Sequence, residues 1–335
     1  MGEDASYVEC VSTLPYLVLS LEVEMPVKHI EPTRENLEKL LGVEDILHGN
    51  RIPLNPKTIW HREFPFGKVE KVRIQLEPGV STCLYICLPY DMKPPYQPFI
   101  CVQGHTSGMH RSIEVDWHDE WTHVTPVKSP GFAVSCLKRG IPAVCIEQRY
   151  MGENSRKEDH MQDCLQMGEI ALLRGRTIIG ERVFDVDRTI DYLVERGDFD
   201  ISKLGIVGSS GGGTTSMFAG AVLPRLTHVM PAACVSSFHA SIGTIWHCLC
   251  NHIPNLYAFG ESSDVLALIA PRPVVIVNGE FDDIFPIEAT REEFAKLKRK
   301  YEALGAGDKC RLVVGNGAHQ FFDNEAWDAM LPLWR

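Results

Sequence analysis

The sequence predicts an α/β protein with a mostly parallel, eight-stranded sheet covered by helices on both faces. Two observations support this prediction. Short apolar runs recur from residue 68 onward, and amphipathic segments separate most of them. Continuous apolar runs are typical of strands buried on both faces, and their alternation with helices favours parallel pairing. No linker-like change in composition interrupts residues 68–335, so we expect one domain there.

Residues 1–67 are predicted to form an N-terminal extension packed on that domain. The segment TRENLEKLLG has a threonine at the N-cap position, apolar residues at helical spacing and a closing glycine. These features predict a short helix from about Arg34 to Leu41. The segments on either side are proline-rich connections.

The eight predicted strands begin with a hairpin. KVEKVRIQL and STCLYICLPY are joined by the turn sequence EPGV. The other six strands are the apolar runs PFICVQG (98–104), IPAVCIEQ (141–148), KLGIVGS (203–209), THVMPAACVSS (227–237), PRPVVIVNG (271–279) and CRLVVGNG (310–317). Helical patterns lie between most of these runs, the longest being GERVFDVDRTIDYLVERG and PIEATREEFAKLKRKYEALG.

Charge and cysteine content exclude several classes of protein. The formal net charge is −11, whereas a nucleic-acid partner would favour a clustered basic surface. The apolar segment at residues 14–25 is too short and too acidic to span a membrane. The 11 cysteines lie scattered in apolar runs, which indicates buried thiols and not a disulfide framework. We expect a soluble cytoplasmic protein with no nucleic-acid or membrane partner; a homo-oligomer is compatible with these features.

The glycine-rich stretch GIVGSSGGG follows a predicted strand and opens a helix, and several interpretations compete for it. A phosphate-binding loop would need a lysine where Thr214 stands, and a dinucleotide fingerprint would need a glycine at Ser216. A third possibility is that the small residues only allow a helix to pack closely against a strand. The remaining interpretation is catalytic: residues 208–212 match G-x-S-x-G, the pattern of a nucleophile elbow.

The elbow interpretation assigns different roles to the residues of this stretch. Ser210 would occupy a strained turn with its hydroxyl projecting from the sheet edge. Gly208 and Gly212 would relieve the crowding where strand and helix cross. Ser209 would be a bystander.

A serine hydroxyl needs a base to take its proton and an acid to orient that base. In folds with this elbow the chain order is Ser, acid, His. Asp282 and Asp283 follow the buried strand that ends at Gly279, and His319 follows the last predicted strand. Asp283 is better explained as an acid near the start of the next helix. The predicted triad is therefore Ser210, Asp282 and His319.

An oxyanion hole requires two backbone donors beside the nucleophile. We predict the N–H of Gly211, directly after Ser210, and the N–H of His105, in the loop after the FICVQG strand. The loop at 108–126 should border the mouth of the site. There Trp117 and Trp121 either form an apolar wall for the substrate or pack as ordinary loop residues.

The segment IWHCLCNHIPN places His247, Cys248, Cys250 and His252 close together. Such a set suggests zinc, but structural zinc sites usually combine separated ligand pairs with C-x₂₋₄-C spacing. We expect this segment to be a structural loop near the site, and we predict no metal and no cofactor.

Five motifs resemble the α/β-hydrolase superfamily, and more narrowly its dienelactone-hydrolase and acetylxylan-esterase-like branch. They are QGHTSGMH, EQRYMGENSR, GSSGGG, CLCNHIPNLYAFGESSDVLALIAPRPVVIVNGEFDDIFP and GAHQFF. The resemblance supports Asp282 as the acid through its spacing to Pro286 in G-x-x-D-x-x-x-P. It implies a carboxylic-ester hydrolase that needs no cofactor and acts on short acyl groups such as acetyl. One departure is Ser209, where many relatives carry a larger residue.

The sequence thus predicts a serine esterase that works through an acyl-enzyme. The same triad could instead cleave a lactone, a thioester or a peptide, and a catalytically inactive binding protein with this fold is the alternative from a different class. Within the QRYMGENSR motif, Arg149 or Glu153 is expected to brace its loop and not to contact substrate.

Overall fold

The computed structural model of the chain describes residues 29–335. The apolar segment at residues 14–25 and Cys10 lie outside the described residues. None of the helices within the described range is long and apolar enough to cross a membrane.

The centre of the fold is one nine-stranded sheet. Its strands are β1 (Lys57–Phe64), β2 (Gly67–Glu77), β3 (Val80–Leu88), β4 (Phe99–Val102), β5 (Ala143–Ile146), β6 (Gly205–Ser209), β7 (His228–Ala232), β8 (Val274–Gly279) and β9 (Cys310–Gly315). Their spatial order is β1-β2-β3-β5-β4-β6-β7-β8-β9. The pairs β1–β2, β2–β3 and β3–β5 are antiparallel, and all later pairs are parallel.

Ten α-helices accompany the sheet in the described part of the chain. They are α1 (Arg34–Leu41), α2 (Glu44–His48), α3 (Phe132–Lys138), α4 (Cys164–Leu173), α5 (Ile178–Arg196), α6 (Gly211–Val222), α7 (Leu256–Phe259), α8 (Ser262–Ala267), α9 (Ile287–Ala303) and α10 (Asp323–Trp334). Side chains of α1, α5, α6, α8 and α9 belong to one apolar cluster, and those of α3 and α10 belong to another.

Alternation along the central strands shows that these clusters lie on opposite faces of the sheet. In β4, Ile100 and Val102 belong to the first cluster, whereas Phe99 and Cys101 belong to the second. Successive side chains of a strand point to opposite faces, so both faces are covered by helices. This confirms the predicted α/β class, the mostly parallel sheet and the two helical layers.

The prediction of eight strands is wrong by one, because β1 was not recognised from the sequence. β1, with the sequence KTIWHREF, pairs antiparallel with β2 and is mostly exposed or half-buried. An edge strand of this kind carries polar residues and lacks the apolar run that marks a buried strand. The sheet begins at residue 57, so the predicted boundary between residues 67 and 68 lies inside the β1–β2 hairpin.

The first helix has the predicted bounds and caps. The Thr33 hydroxyl accepts a hydrogen bond from the N–H of Asn36 at 3.2 Å, and Gly42 ends the helix with φ 69°. A glycine tolerates this left-handed conformation at little cost. The helix packs on the domain, because Leu37 and Leu41 are fully buried and the Leu41 carbonyl accepts from the N–H of Thr177.

The parallel arrangement places four loops at one edge of the sheet. These loops follow β4, β6, β8 and β9, and they carry His105, Ser210, Asp282 and His319. The carboxyl ends of parallel strands are where open α/β sheets usually form their sites.

Candidate active site

Ser210 occupies the sharp turn between β6 and α6. Its backbone angles are φ 56° and ψ −123°, a conformation that residues with a side chain rarely adopt. The turn is held from both sides, since the N–H of Ser210 donates to the Ala232 carbonyl at 2.9 Å and the Ser210 carbonyl accepts from the N–H of Thr214 at 2.9 Å. The predicted nucleophile elbow is therefore present as a strained turn.

Glycines are required around this turn because backbone atoms approach closely. A Cβ atom at Gly208 would lie 2.6 Å from the Val102 carbonyl oxygen, and one at Gly212 would lie 2.5 Å from that of Gln103. At Gly104, in the facing loop, a Cβ would lie 3.2 Å from the Cβ of Ser210. The predicted crowding at Gly208 and Gly212 is confirmed.

We expect Gly212→Ala to lower the free energy of unfolding by about 2–3 kcal/mol, because the new methyl group would press on the backbone of β4 and cannot be accommodated by a rotamer change. Gly307→Ala is the control, since a Cβ there would crowd only the flexible side chain of Glu302, at 2.9 Å from its Cγ, and would lie at an ordinary contact distance of 3.7 Å from its Cα; its effect should stay within about 0.5 kcal/mol. Urea unfolding of the three proteins measures both values. Equal stability of the two variants would contradict this account of the elbow.

Asp282 and His319 are in direct contact. Oδ2 of Asp282 lies 2.8 Å from Nδ1 of His319, and Oδ1 accepts hydrogen bonds from the N–H groups of Ile284 and Phe285, both at 2.9 Å. The Asp282 side chain is buried, whereas Asp283 is exposed. These bonds fix the carboxylate and leave it one oxygen for the imidazole.

The environment of Asp282 favours its charged form. Burial alone raises the pKa of this carboxyl group, but the hydrogen bonds from His319 and from the N–H groups of Phe285 and Ile284 outweigh burial and hold its pKa below the ordinary value of 3.8. The charged carboxylate accepts a hydrogen bond from the Nδ1–H group of His319, and this tautomer of the neutral imidazole leaves Nε2 without a proton.

The loops that carry these two residues are tied to each other. The N–H of Glu280 donates to the Gly315 carbonyl, and the N–H of Phe281 donates to the Gly317 carbonyl, both at 2.9 Å. The ring of Phe285 stacks on the imidazole of His319 at a centroid distance of 5.9 Å. This arrangement restricts the position of the imidazole.

Ser210 and His319 line one cavity of about 450 Å³. Phe132, Phe321 and Ile284 contribute apolar walls to it. Two cationic side chains, Arg111 and Lys128, also line it, and none of its lining residues in the described part of the chain carries a carboxylate. Sequence reasoning did not assign these five residues, because they come from three separate segments whose meeting around Ser210 depends on the packing of the domain.

The two residues that carry the predicted oxyanion donors are in contact. Gly211 is the first residue of α6, and the first N–H groups of a helix have no intrahelical acceptor. The ring of His105 packs against Gly211, where a Cβ atom would lie 2.8 Å from its Cε1. Neither N–H has an acceptor among residues 29–335.

Comparisons with known proteins support the fold seen here. No model of a known protein family matches the sequence. "Putative hydrolase YtaP" of Bacillus subtilis (strain 168) is 24% identical over 292 residues, which are 85% of this chain and 92% of that protein.

Among solved structures, a "putative acetyl xylan esterase" from Bacteroides fragilis NCTC 9343 matches with a TM-score of 0.69 at 15% identity, covering 87% of this chain and 77% of its own. A glucuronoyl esterase from Solibacter usitatus matches with a TM-score of 0.62 at 16% identity, covering 90% and 91%. The chain has the α/β-hydrolase fold. The fold that the sequence resemblance implied is confirmed by these neighbours.

Within this hydrolase fold, the two predicted substrate-binding tryptophans lie elsewhere. Trp117 stacks between His118 and His160, with centroid distances of 3.7 and 4.3 Å. Trp121 is 56% exposed and packs on Phe64. Neither indole lines the cavity that holds Ser210 and His319, so the prediction that they wall the substrate pocket is corrected.

The two tryptophans lie away from the cavity because strand β1 holds the loop at 108–126 through hydrogen bonds. Arg62 of β1 donates to the carbonyls of Asp119 and Glu120 at 2.8 and 2.6 Å, and the indole N–H of Trp60 donates to the Glu120 carboxylate at 3.0 Å. Because β1 was not recognised in the sequence, its contacts with this loop could not be foreseen.

Arg149 and Glu153 brace the loop after β5, as predicted. The guanidinium of Arg149 is buried between the carboxylates of Asp185 and Glu77, with N–O distances of 2.6–2.9 Å. Glu153 pairs with the Lys71 ammonium. Neither residue lines the cavity of Ser210.

The segment at 245–255 brings its two cysteines together but not its two histidines. Nε2 of His247 lies 2.9 Å from the Ser241 hydroxyl, and His252 is exposed. Cys248 and Cys250 instead face residues from other elements: their sulfur atoms lie near the imidazole of His105 and the thiol of Cys164. Sequence reasoning missed this cluster, because its four residues come from three distant segments.

Proposed function

We propose that the protein is a serine hydrolase of carboxylic esters that works through an acyl-enzyme. The observation that carries the proposal is the hydrogen bond between Asp282 and His319 at the wall of the cavity that also contains Ser210. The names of the similar proteins, which include esterases and a hydrolase, support an ester as the substrate.

The proposed reaction begins when Oγ of Ser210 attacks the ester carbonyl. Nε2 of His319 takes the hydroxyl proton, and Asp282 stabilises the imidazolium that forms. The N–H groups of His105 and Gly211 donate to the oxyanion of the tetrahedral intermediate. The ester C–O bond then breaks, and the alkoxide leaves with the proton from His319.

The second half of the reaction releases the acyl group. His319 takes a proton from water, and the resulting hydroxide attacks the acyl carbonyl of the Ser210 ester. Collapse of this intermediate frees the carboxylic acid and returns the proton to Oγ of Ser210. No cofactor is needed, because the three side chains and the two backbone donors supply every proton transfer and the charge stabilisation.

We further propose that the acyl group is short, of the acetyl type. The cavity of about 450 Å³ would have to hold both halves of the ester, so only part of that volume is left for the acyl group. The description of one structural neighbour as a "putative acetyl xylan esterase" supports a short acyl group.

A series of p-nitrophenyl esters from acetate to dodecanoate tests both the proposed ester substrate and the proposed short acyl group. We expect kcat/KM to be highest for two- to four-carbon acyl groups and to fall by about tenfold or more by eight carbons. A chain too long for the cavity would hold the ester away from the position in which the transition state is stabilised. Matched p-nitroanilides and thioesters serve as controls, and esters should be the fastest. A maximum at long chains would overturn the acyl-size proposal, and faster amide cleavage would overturn the ester proposal.

The state of the thiols bears on location. Each of the ten cysteines among residues 29–335 is a free thiol, and nine of them are buried. Such thiols persist in a reducing environment, which supports a cytoplasmic location as the second part of this proposal.

A further inference from the structure

Four potential metal ligands converge beside the candidate active site. They are the imidazole of His105 and the thiols of Cys164, Cys248 and Cys250, which we call the thiol–histidine cluster. Their ligand atoms all lie within 4.8 Å of one another, and Nε2 of His105 is 3.1 Å from Sγ of Cys250. We propose that this cluster binds one zinc ion, which fixes the loop that carries the predicted oxyanion donor.

The donor set matches a structural zinc site. Three cysteines and one histidine are one of the standard tetrahedral ligand sets for zinc, and soft thiolates favour this ion over magnesium or calcium. Zinc–sulfur bonds of about 2.3 Å and a zinc–nitrogen bond of about 2.0 Å place neighbouring ligand atoms about 3.5–3.8 Å apart. The cluster therefore needs only small side-chain adjustments to hold the ion. Binding releases the three thiol protons to solvent.

The charge of Arg182 provides independent support. This residue of α5 is 1% exposed, and none of the ion pairs among residues 29–335 involves it. Its guanidinium donates to the Arg149 carbonyl at 2.9 Å and to Sγ of Cys164 at 3.4 Å. Its buried Nη1 has no hydrogen-bond partner among residues 29–335. A buried cation without a counter-charge is costly.

Zinc binding would place a counter-charge beside Arg182. Three thiolates, a neutral imidazole and Zn²⁺ sum to a net charge of −1, which the guanidinium of Arg182 neutralises. Among residues 29–335 no carboxylate pairs with this guanidinium, and its side-chain hydrogen bond goes to the sulfur of Cys164. The position of Arg182 next to Cys164 thus indicates an anionic metal–thiolate site.

The elements that carry the ligands are held close by contacts that do not involve the cluster. Cys164 begins α4. Cys250 lies in the 3₁₀ helix Leu249–Asn251, and Cys248 directly precedes that helix. A Cβ at Gly168 of α4 would lie 2.7 Å from the Leu249 side chain, so these two elements pack tightly. The site is therefore preorganised by the surrounding packing.

The consequence for catalysis rests on the proposed function. The ring of His105 lies against Gly211, so an ion on Nε2 would fix the loop after β4 relative to the start of α6. Both predicted oxyanion donors belong to these two residues. Four protein ligands complete the tetrahedral shell, so the ion has no open position for substrate and acts by holding the loop.

Metal content of the purified protein tests the proposal without reference to activity. After expression in reducing, zinc-containing medium and exchange into metal-free buffer, we expect mass spectrometry to find about one zinc per chain in the full-length protein. A Cys248→Ser, Cys250→Ser double variant should retain roughly a tenth or less, because serine hydroxyls are poor zinc ligands. Cys310→Ala, which removes a buried thiol of β9 outside the cluster, should keep the full amount.

X-ray absorption on the unaltered protein covers the case in which the double variant does not fold. The zinc-bound form should show three sulfur neighbours at about 2.3 Å and one nitrogen at about 2.0 Å. His105→Cys should keep the ion and change the count to four sulfurs. Full-length protein without zinc, a disulfide within the cluster or an oxygen-rich shell would overturn the inference.

These readouts separate the two proposals. Ser210→Ala should retain its zinc whether or not the protein is an esterase. Zinc-loaded protein without esterase activity would overturn the proposed function alone, and zinc-free protein with full activity would overturn the metal site alone.

Discussion

Ser210→Ala is expected to lower kcat/KM for a short-chain ester by roughly 10⁴- to 10⁶-fold. Removal of Oγ eliminates the nucleophile, and only the oxyanion donors and substrate binding remain to accelerate hydrolysis by water. Steady-state hydrolysis of p-nitrophenyl acetate measures the loss. A fluorophosphonate probe should label the unaltered protein on Ser210 and should fail to label the variant.

Ser209→Ala is the matched comparison for this variant, because it removes the same hydroxyl from the adjacent position. We expect a change of less than about tenfold in kcat/KM, since its backbone belongs to β6 and the strained turn begins one residue later. Thermal unfolding should show that both variants remain folded. Near-normal turnover by the Ser210 variant would end the proposed mechanism, as would a larger loss in the Ser209 variant.

The second large effect is expected for Asp282→Asn, which should reduce kcat by about 10⁴-fold. An asparagine oxygen can still accept the hydrogen bonds from Ile284 and Phe285, so the loop should keep its shape. The amide cannot stabilise an imidazolium, and its NH₂ group opposite Nδ1 favours the tautomer in which Nε2 carries the proton. The base is then blocked.

Asp283→Asn provides the control for the acid. Asp283 is the exposed neighbour, and its substitution removes one charge from the same loop without touching His319. We expect kcat within about threefold of the original protein, because a surface charge contributes little. Kinetics of both variants at neutral pH decide between the two aspartates: a greater loss for the Asp283 variant would reverse the assignment.

Several features of the fold could be predicted because they depend on local patterns. Strands β4 to β8 are largely buried on both faces, so each appears as an apolar run in the sequence; β9, at the sheet edge, is half-buried but keeps an apolar run. The helix from Arg34 to Leu41 begins and ends at residues whose capping roles are local. β1 escaped prediction for the complementary reason: an edge strand with polar side chains gains its stability from pairing with β2, and no local signal marks that pairing.

In the candidate site, too, some features could be predicted from the sequence and others depend on distant contacts. The positions of Ser210, Asp282 and His319 follow from chain order, because residues just after parallel strands meet at one sheet edge. The environment of the tryptophans at 117 and 121 depends on where a long insertion packs. That depends on contacts with β1, which are distant in the sequence.

The sequence by itself determined the α/β class, the strained elbow at Ser210 with its flanking glycines, and the loops on which an acid and a base would follow. Only the tertiary structure showed that the ligand atoms of the thiol–histidine cluster lie within 4.8 Å of one another, beside Arg182. It also showed that Phe132, Phe321 and Ile284 form apolar walls of the cavity. The physical reason is that backbone conformation and burial leave local patterns in a chain. The meeting of side chains from separate loops depends on the packing of the whole domain.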